Sequence, residues 1–282
     1  MKSKILIIVL TAALALSACG GQPDLSGAGP GQNTNEPAAE VPAATEAPAS
    51  AEPAAGPVIG GSGEIVPAEF SISKEVLLDP ALASDEDSKI ANSYLYEGLL
   101  TIFDEQTYMA LAQSFTRSED GLDYIFELRP GVKFHDGTDF NADAVIANFY
   151  RWFDPADPLH GTGTYDTWVA EFLGFKGETT ATGAAKSTFD GAEKINDLTV
   201  VIHLSTPDPD LIIRLSNPAF AIVSPAALKA PGFGTQTGID GGTGSYMLTE
   251  WNDEGLVFQS FGDYWEDEYI PENGVSIPFA KE

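Results

Sequence analysis

The spacing of hydrophobic residues changes several times between residues 65 and 282. In "LDYIFELR", Tyr124, Phe126 and Leu128 alternate with the residues of the opposite face, which predicts a half-buried strand. In "DSKIANSYLYEGLL", apolar side chains recur at helical spacing, and we expect Gly98 to end that helix. The helical positions are Ile90, Tyr94, Leu95 and Leu99. The presence of both periods predicts a mixed α/β chain.

A turn, a second strand and a helix are predicted after "LDYIFELR". Pro130 and Gly131 favour a turn, and "VKFHDG" is expected to return as a short strand that Gly137 ends. Asn141 is placed to cap a helix that stops at Asp154, and one face of that helix is apolar. The residues of that face are Val145, Ile146, Phe149, Trp152 and Phe153.

The rest of the chain continues the mixture of short strands and helices. "DLTVVIHL", "FAIVSP" and "GLVFQSF" are predicted strands, and "PAALKA" is a predicted short helix. Asp208 and Pro209 are expected to be the N-cap and first residue of a helix in "DPDLIIRLS". Because the regular β-α-β alternation of a doubly wound sheet is lacking, we predict mixed sheets in two intertwined lobes.

The N-terminal residues are typical of a targeting segment. Lys2 and Lys4 precede the apolar run "ILIIVLTAALAL", which is too short for a comfortable membrane span and ends in "LSAC". This ending resembles a bacterial lipobox, so residues 1–18 are predicted to be a lipoprotein signal peptide and Cys19 to be diacylated. The alternative is a signal peptide with a cysteine near its cleavage site by chance. Cys19 is the only cysteine of the chain, which favours lipidation and a membrane anchor.

Residues 19–64 have the composition of a disordered tether. Alanine, proline, glycine and glutamate dominate, as in "NEPAAEVPAATEAPASAEPAAGP", and large apolar residues are scarce. Such a segment buries too little apolar area to offset the entropy of ordering its backbone. We expect it to hold the folded part away from the membrane.

The chain is strongly acidic. It has 14 Lys and Arg against 42 Asp and Glu, a net charge of −28. Nucleic acid is therefore excluded as a partner, because phosphate binding needs basic surface. The acidity would mildly attract cationic ligands, although a solvated acidic surface explains it equally well.

Candidate chemistry is concentrated in "LRPGVKFHDGTDF". His135 could act as a base oriented by Asp136, with Asp139 nearby, but neighbouring residues of a strand point to opposite faces. His160 and His203 lack the spacing of metal ligands. We therefore assign no catalytic residue, no metal site and no cofactor. The glycine-rich "GGTGSY" is either an ordinary turn or a loop that a ligand approaches closely, and it lacks the lysine of a phosphate-binding loop.

Three segments together resemble a known family. "LDPALASDEDSKIANSYLYEGLL", "ALAQSFTRSEDGLDYIFELRPGVKFHDGTDFNADAVIANFYRWFDP" and "GGTGSYMLTEWNDEGLVFQSFGDYW" occur in this order. They are similar to extracellular solute-binding protein family 5, the oligopeptide- and dipeptide-binding lipoproteins of ABC importers. The resemblance implies a type II periplasmic-binding-protein-like fold. It also implies that the "HDG" segment has a structural role and is not part of an active site.

The resemblance also implies a lobe arrangement and binding segments. Residues 65–104 and 195–282 would form a first lobe, and residues 105–194 an inserted second lobe. The sequence ends at "VSIPFAKE", so we expect only the N-terminal part of the family fold, without its clamping lobe. The ligand-binding residues would be Ser84, Asp85, Glu86, Asp87, Thr243, Gly244, Ser245 and Tyr246.

The function implied is capture of a peptide or related small solute outside the cell and delivery to the permease subunits of an ABC importer. The protein would be lipid-anchored on the extracytoplasmic face of the cell membrane and would not be an enzyme. One alternative is an extracellular hydrolase that uses paired carboxylates. Another is a truncated fragment that binds nothing.

The lipobox generates a testable prediction. The change Cys19→Ala removes the acylated thiol, so the protein should move from the membrane to the soluble fraction. Fractionation of cells that express each form, followed by immunoblotting, measures this shift. Equal membrane association of the two forms would show that the apolar segment itself is the anchor.

Overall fold

The computed structural model of the protein describes residues 60–238 and 240–281. The predicted signal peptide, Cys19 and the tether up to residue 59 lie outside the described residues. Within the described ranges no helix combines the length and the apolar character needed to cross a membrane.

The described chain contains ten strands and five α-helices. The strands are β1 (Ile65–Pro67), β2 (Leu100–Phe103), β3 (Gln106–Met109), β4 (Ala112–Arg117), β5 (Asp123–Leu128), β6 (Phe189–Asn196), β7 (Thr199–Leu204), β8 (Tyr246–Trp251), β9 (Gly255–Ser260) and β10 (Gly274–Pro278). The helices are α1 (Glu86–Leu95), α2 (Ala142–Phe153), α3 (Asp166–Phe172), α4 (Leu211–Leu215) and α5 (Pro225–Lys229). Short 3₁₀ turns occupy Pro218–Phe220 and Asp267–Tyr269.

The strands form three separate sheets. One has the order β1-β10-β9-β8, in which β1 runs parallel to β10 and the other pairs are antiparallel. A second, fully antiparallel sheet has the order β4-β5-β7-β6. Strands β2 and β3 form a hairpin. Several sheets, one of them mixed, in place of one doubly wound sheet agree with the predicted fold class.

Strand β5 and helix α2 form where the sequence pattern predicts them. Tyr124, Phe126 and Leu128 are buried on one face of β5. Asn141 caps α2 by accepting a hydrogen bond from the amide of Ala144 at 3.1 Å. The apolar face of α2 lies against β6 and β7, so the predicted stripe packs into the core of this region. Its fully buried members are Val145, Phe149 and Trp152.

A buried ion pair joins α2 to the segment before α1. The guanidinium of Arg151 donates to the carboxylate of Asp79, and both residues are buried. The same guanidinium lies 5.5 Å from the ring centre of Tyr165. Removal of one partner would leave the other charge buried without compensation, which is costly.

Two predicted strands are wrong because their backbone groups bond elsewhere. "VKFHDG" closes a tight loop around Gly137, in which Phe134 donates to Thr138, and the segment keeps one isolated bridge, between Lys133 and Asp139. "FAIVSP" begins at the last residue of the 3₁₀ turn Pro218–Phe220 and keeps one isolated bridge, between Gly98 and Ala221.

The side chain of Asn148 takes the place of a neighbouring strand beside "FAIVSP". Its amide nitrogen donates to the carbonyl of Val223 at 2.7 Å, and its oxygen accepts from the amide of Val223 at 3.2 Å. Both backbone groups of Val223 are therefore satisfied without a strand ladder.

Two helix boundaries also differ from the prediction. Helix α1 ends at Leu95 and the chain is already extended at Tyr96, before Gly98. Helix α4 begins at Leu211 with Asp210 as N-cap. Asp208 instead accepts from the amide of Asp210 at 2.9 Å, which forms a turn before the helix.

The second predicted lobe boundary divides a sheet. Strand β7 pairs with both β5 and β6, although the prediction places it in the first lobe and β5 in the inserted lobe. This pairing favours a boundary after Leu204. The division into lobes itself stays a prediction.

The packing of α2 generates a prediction about stability. Phe149 is 1% exposed and lies 5.0 Å from the ring of Trp152, so Phe149→Ala should lower the free energy of unfolding by about 3 to 5 kcal/mol. Urea denaturation followed by circular dichroism measures this loss. The matched control is Phe103→Ala on the β2–β3 hairpin, where the ring is 74% exposed and little change is expected. Equal losses for the two variants would contradict the packing role of Phe149.

Candidate functional site

The first predicted binding segment, residues 84–87, surrounds the beginning of α1. Asp85 caps the helix by accepting from the amide of Ser88 at 2.8 Å. Asp87 accepts from the amide of Ser73 at 2.8 Å, and Ser84 and Glu86 are exposed. Two of the four side chains are therefore occupied by backbone amides of the protein itself.

The second predicted segment belongs to what we call the glycine segment, residues 240–246, which packs against the other end of α1. The amide of Gly244 donates to the carbonyl of Leu95 at 2.8 Å. A Cβ on Gly242 would lie 1.9 Å from the same carbonyl oxygen, so no larger residue fits. Close packing against α1 thus accounts for these glycines, and their contact with a ligand stays a prediction.

The structure does not bring the two predicted segments together. Helix α1 has 10 residues and is therefore about 15 Å long, with residues 84–87 at its beginning and Gly244 at its end. Ser245 accepts from the amide of Phe261 at 2.8 Å, and Tyr246 packs edge-on against Tyr94 at 5.3 Å. A ligand would therefore have to extend over about 15 Å to touch both segments.

A cavity of about 320 Å³ lies along the side of α1. This volume is in the range of pockets that hold small molecules. It begins beside Ala83, next to the first predicted segment, and extends along α1 to Tyr96. Its lining residues are Pro80, Ala83, Lys89, Asn92, Ser93, Tyr96, Thr167, Asn217, Pro218 and Ala219.

Asn92, one of the lining residues, has a buried acceptor atom. Its side-chain nitrogen donates to the carbonyls of Leu77 at 2.8 Å and Ser88 at 2.7 Å, which fixes the orientation of the amide. Its oxygen has no hydrogen-bond partner among the residues that the structure describes, although the residue is only 5% exposed. A buried polar atom without a partner costs about 1 to 3 kcal/mol, so a donor brought by a ligand would be favourable there.

Lys89 gives the cavity a positive charge. It lies three residues before Asn92 and therefore on the same side of α1. It is exposed and forms no ion pair with any carboxylate of the described residues. The lining residues include no Asp or Glu. In an acidic protein, this cavity is thus suited to a ligand with a carboxylate.

The buried carboxylate of Glu97 bonds to the glycine segment through Thr243. Glu97 accepts hydrogen bonds from Thr243 Oγ1 at 2.8 Å, Tyr264 Oη at 2.9 Å and Trp265 Nε1 at 3.0 Å. Burial raises the pKa of Glu97, and these three donors oppose part of that rise. The guanidinium of Arg129 lies 4.2 Å from the ring centre of Trp265. Tyr264 and Trp265 therefore pack beside the glycine segment and hold the carboxylate of Glu97.

His135 binds the glycine segment and not its neighbour Asp136. Its Nδ1 lies 2.9 Å from Asp240 Oδ2, and its Nε2 lies 2.8 Å from the carbonyl oxygen of Gly244. Asp136 accepts instead from Thr138 and Ser224. The "HDG" residues thus connect distant loops, as an architectural segment does.

The other histidines and the acidic residues are dispersed. His160 Nδ1 contacts the carbonyl of Arg151 at 2.7 Å, and His203 Nδ1 contacts Asp123 at 2.8 Å. In residues 60–238 and 240–281, no group of three or more His, Cys, Asp or Glu is arranged to hold a metal ion.

The sequence reasoning misses the residues that line the cavity. Lys89, Asn92 and Asn217 carry no recognisable motif. One signal was available for Asn92, because it follows Ser88 by one helical turn on the buried side of α1, where polar residues are unusual. No comparable signal marks Asp240 as the partner of His135, because 105 residues separate them.

Comparison with known proteins places these features in a family. The model of the family described as "Bacterial extracellular solute-binding proteins, family 5 Middle" matches residues 106–276. The glutathione-binding protein GsiB of Escherichia coli K12 is 38% identical over 192 residues, which cover 67% of this chain and 33% of GsiB. The chain thus spans about a third of the length of its curated relatives.

Solved structures show the same fold. The periplasmic binding protein DppA of Helicobacter pylori, in complex with the peptide STSA, has a TM-score of 0.63 at 25% identity over 77% of this chain and 43% of DppA. NikA of Brucella suis, in complex with Fe(III)-EDTA, has a TM-score of 0.58 at 27% identity over 77% of this chain and 40% of NikA. The fold is therefore that of the periplasmic binding proteins, of which the chain covers somewhat less than half.

The family match extends over more than half of the chain, and the segments that carry the resemblance in the sequence lie largely within it. This chain belongs to the family 5 bacterial extracellular solute-binding proteins.

Proposed function

We propose that the protein is the substrate-binding component of an ABC importer that takes up a peptide or a related small solute. The observation that carries this proposal is the cavity along α1, in which a buried acceptor on Asn92 and the charge of Lys89 lie on one helix face. Membership of a solute-binding family supports the same conclusion. Delivery to a permease is part of the proposal.

The chemistry of the cavity favours a ligand with a carboxylate and an N–H group. The ammonium of Lys89 would bind the carboxylate, and the Oδ1 of Asn92 would accept from the N–H after a small adjustment of its surroundings. Small peptides carry both groups. GsiB, which shares 38% identity over 192 residues, is named for glutathione, so we use that anionic tripeptide as the first test ligand.

The proposed mechanism is capture by closure. Binding between lobes would shift the equilibrium between an open and a closed form, and the closed form would dock on the permease. The chain spans a third of the length of its curated relatives, so closure by a further lobe over α1 is itself a proposal. Lys89 and Asn92 would then belong to one wall of the closed site.

The protein is proposed to lie outside the cell because its family consists of extracellular solute-binding proteins. Lipid attachment through Cys19 is proposed from the sequence alone. The acyl chains would hold the protein on the membrane that contains the permease. The predicted tether would give the folded part freedom to reach it. Residues 60–64, which the prediction includes in the tether, instead bond to the folded part, as in the donation from the amide of Gly60 to the carbonyl of Ser260 at 2.8 Å.

Lys89 provides the test of this function. Isothermal titration calorimetry with glutathione should detect weak binding, and Lys89→Met should weaken it about two- to fivefold, the loss of one exposed ion pair. The matched control is Lys229→Met, which removes the same charge from an exposed position at the end of α5, outside the cavity lining.

Two outcomes would contradict the proposal. One is the same effect of Lys89→Met and Lys229→Met, because the charge would then act only through the overall field of the protein. The other is unaltered binding of glutathione dimethyl ester, in which both carboxylates are blocked. A dissociation constant in the low micromolar range would further show that the chain holds a complete site, contrary to the expectation of a missing lobe.

A further inference from the structure

We propose that His135 is a positioning residue that anchors the glycine segment to the end of α1, and that it does so as a doubly protonated imidazolium. The ring is 2% exposed, and the edge of Phe261 lies against it with the ring centres 4.8 Å apart. Its surroundings therefore fix the position of both nitrogens.

Each ring nitrogen of His135 faces a hydrogen-bond acceptor. Nδ1 lies 2.9 Å from Asp240 Oδ2, and Nε2 lies 2.8 Å from the carbonyl oxygen of Gly244. A carbonyl oxygen cannot donate, so Nε2 must carry a proton to bond with it. A neutral ring has only one N–H, and its other nitrogen would then present a lone pair to an acceptor.

Both carboxyl oxygens of Asp240 act as hydrogen-bond acceptors for backbone amides. Its Oδ1 accepts from the amide of Gly242 at 3.0 Å, and its Oδ2 accepts from the amide of Leu248 at 2.8 Å. With His135 as a third donor, the carboxylate receives three hydrogen bonds. The alternative, a protonated Asp240 that donates to a neutral ring, would place its hydroxyl on an oxygen that already accepts from Leu248.

The surrounding charges act in the same direction on the ring. Burial lowers the pKa of His135, but the Asp240 carboxylate, the Gly244 carbonyl and the more distant Glu97 outweigh it, so the pKa is raised above its usual range. The packed elements also carry the phenols of Tyr96, Tyr246 and Tyr264, whose pKa values burial raises. These phenols are neutral near neutral pH. The carboxylate of Asp136, the neighbour of His135, accepts hydrogen bonds from Thr138 and Ser224 and not from the ring.

The contacts of His135 lead to the cavity. Its backbone amide donates to the carbonyl of Gly242 at 2.8 Å, and its ring holds Gly244, whose own amide bonds to Leu95 at the end of α1. Helix α1 carries Lys89 and Asn92. Loss of one proton from the His135 ring would remove its hydrogen bond either to Gly244 or to Asp240. The glycine segment would then be held less firmly against α1.

The linkage between protonation and stability has a definite sign. The pKa of His135 in the folded protein is raised above its unfolded value of about 6.5, so its contribution to stability is complete below about pH 6.5. That contribution is lost as the pH rises through the higher folded value. Glu97 also has a raised pKa, but its window begins near the ordinary carboxyl range, at lower pH.

Nuclear magnetic resonance tests the protonation state directly in the intact protein. The chain has three histidines, so long-range ¹H–¹⁵N spectra of ¹⁵N-histidine-labelled protein can be assigned with single His→Gln variants. We expect both nitrogens of His135 to carry protons at about pH 7.5, above the ordinary histidine pKa. A neutral single tautomer of His135 at that pH would overturn the proposal, and this result requires no ligand.

Variants test whether the proton positions the glycine segment. Between about pH 6.5 and pH 9.5, the wild type should lose more thermal stability than His135→Gln, whereas His203→Gln, at a partly exposed histidine of β7, should follow the wild type. The coupling between His135→Gln and Asp240→Asn in a double-mutant cycle should be present at low pH and vanish at high pH. Parallel pH profiles of the wild type and His135→Gln would contradict the positioning role.

The consequence for binding rests on the proposed function and is measured separately. If glutathione binds at all, its affinity should fall with rising pH in the wild type and change less in His135→Gln. Absence of binding would contradict the proposed function, whereas the spectra and unfolding curves would still decide the state of His135.

Discussion

The close approach of the glycine segment to the last turn of α1 is the constraint on which much of the structure depends. A Cβ at Gly242 would lie 1.9 Å from the carbonyl oxygen of Leu95, so the two backbones are in direct contact. Such a contact buries peptide groups that must find partners. The amide of Gly244 bonds to Leu95, while His135 and Glu97 bond to Gly244 and Thr243. The two conspicuous segments of the sequence, "HDG" and "GGTGSY", thus bond to each other through His135 next to the end of α1.

Local signals predict the elements that a cap or a periodic burial pattern marks in the sequence itself. Helix α2 was predictable with its cap and its buried face, because Asn141 and the apolar stripe act within a few residues. Strand β5 was predictable because its alternation reflects one buried and one less buried face. The strand predicted at "VKFHDG" fails because its backbone bonds within its own loop and to the carbonyl of Gly242, a residue about a hundred positions away. Sequence periodicity carries no information about such partners.

The candidate site shows the same limit more strongly. The resemblance directed attention to the two ends of α1, whereas the cavity lies along its side and takes its chemistry from Lys89 and Asn92. A lysine and an asparagine on a short helix are ordinary in a sequence. They become notable only because, among the residues that the structure describes, none bonds to the oxygen of Asn92 and no acidic side chain lines the cavity. The role of Lys89 and Asn92 therefore depends on the residues that surround them in the fold, which the sequence does not reveal.

The two hydrogen bonds between Asn148 and Val223 have a consequence for how this region can vary. Among side chains only an amide presents a donor and an acceptor side by side, so Asn148 behaves as a detached peptide unit. Aspartate would have the same shape but no donor, and leucine would satisfy neither group of the buried backbone. Glutamine has the right groups, but the extra methylene would push α2 away from the chain beside it. The spacing between a helix and a non-helical segment is thus set by the length of a single side chain.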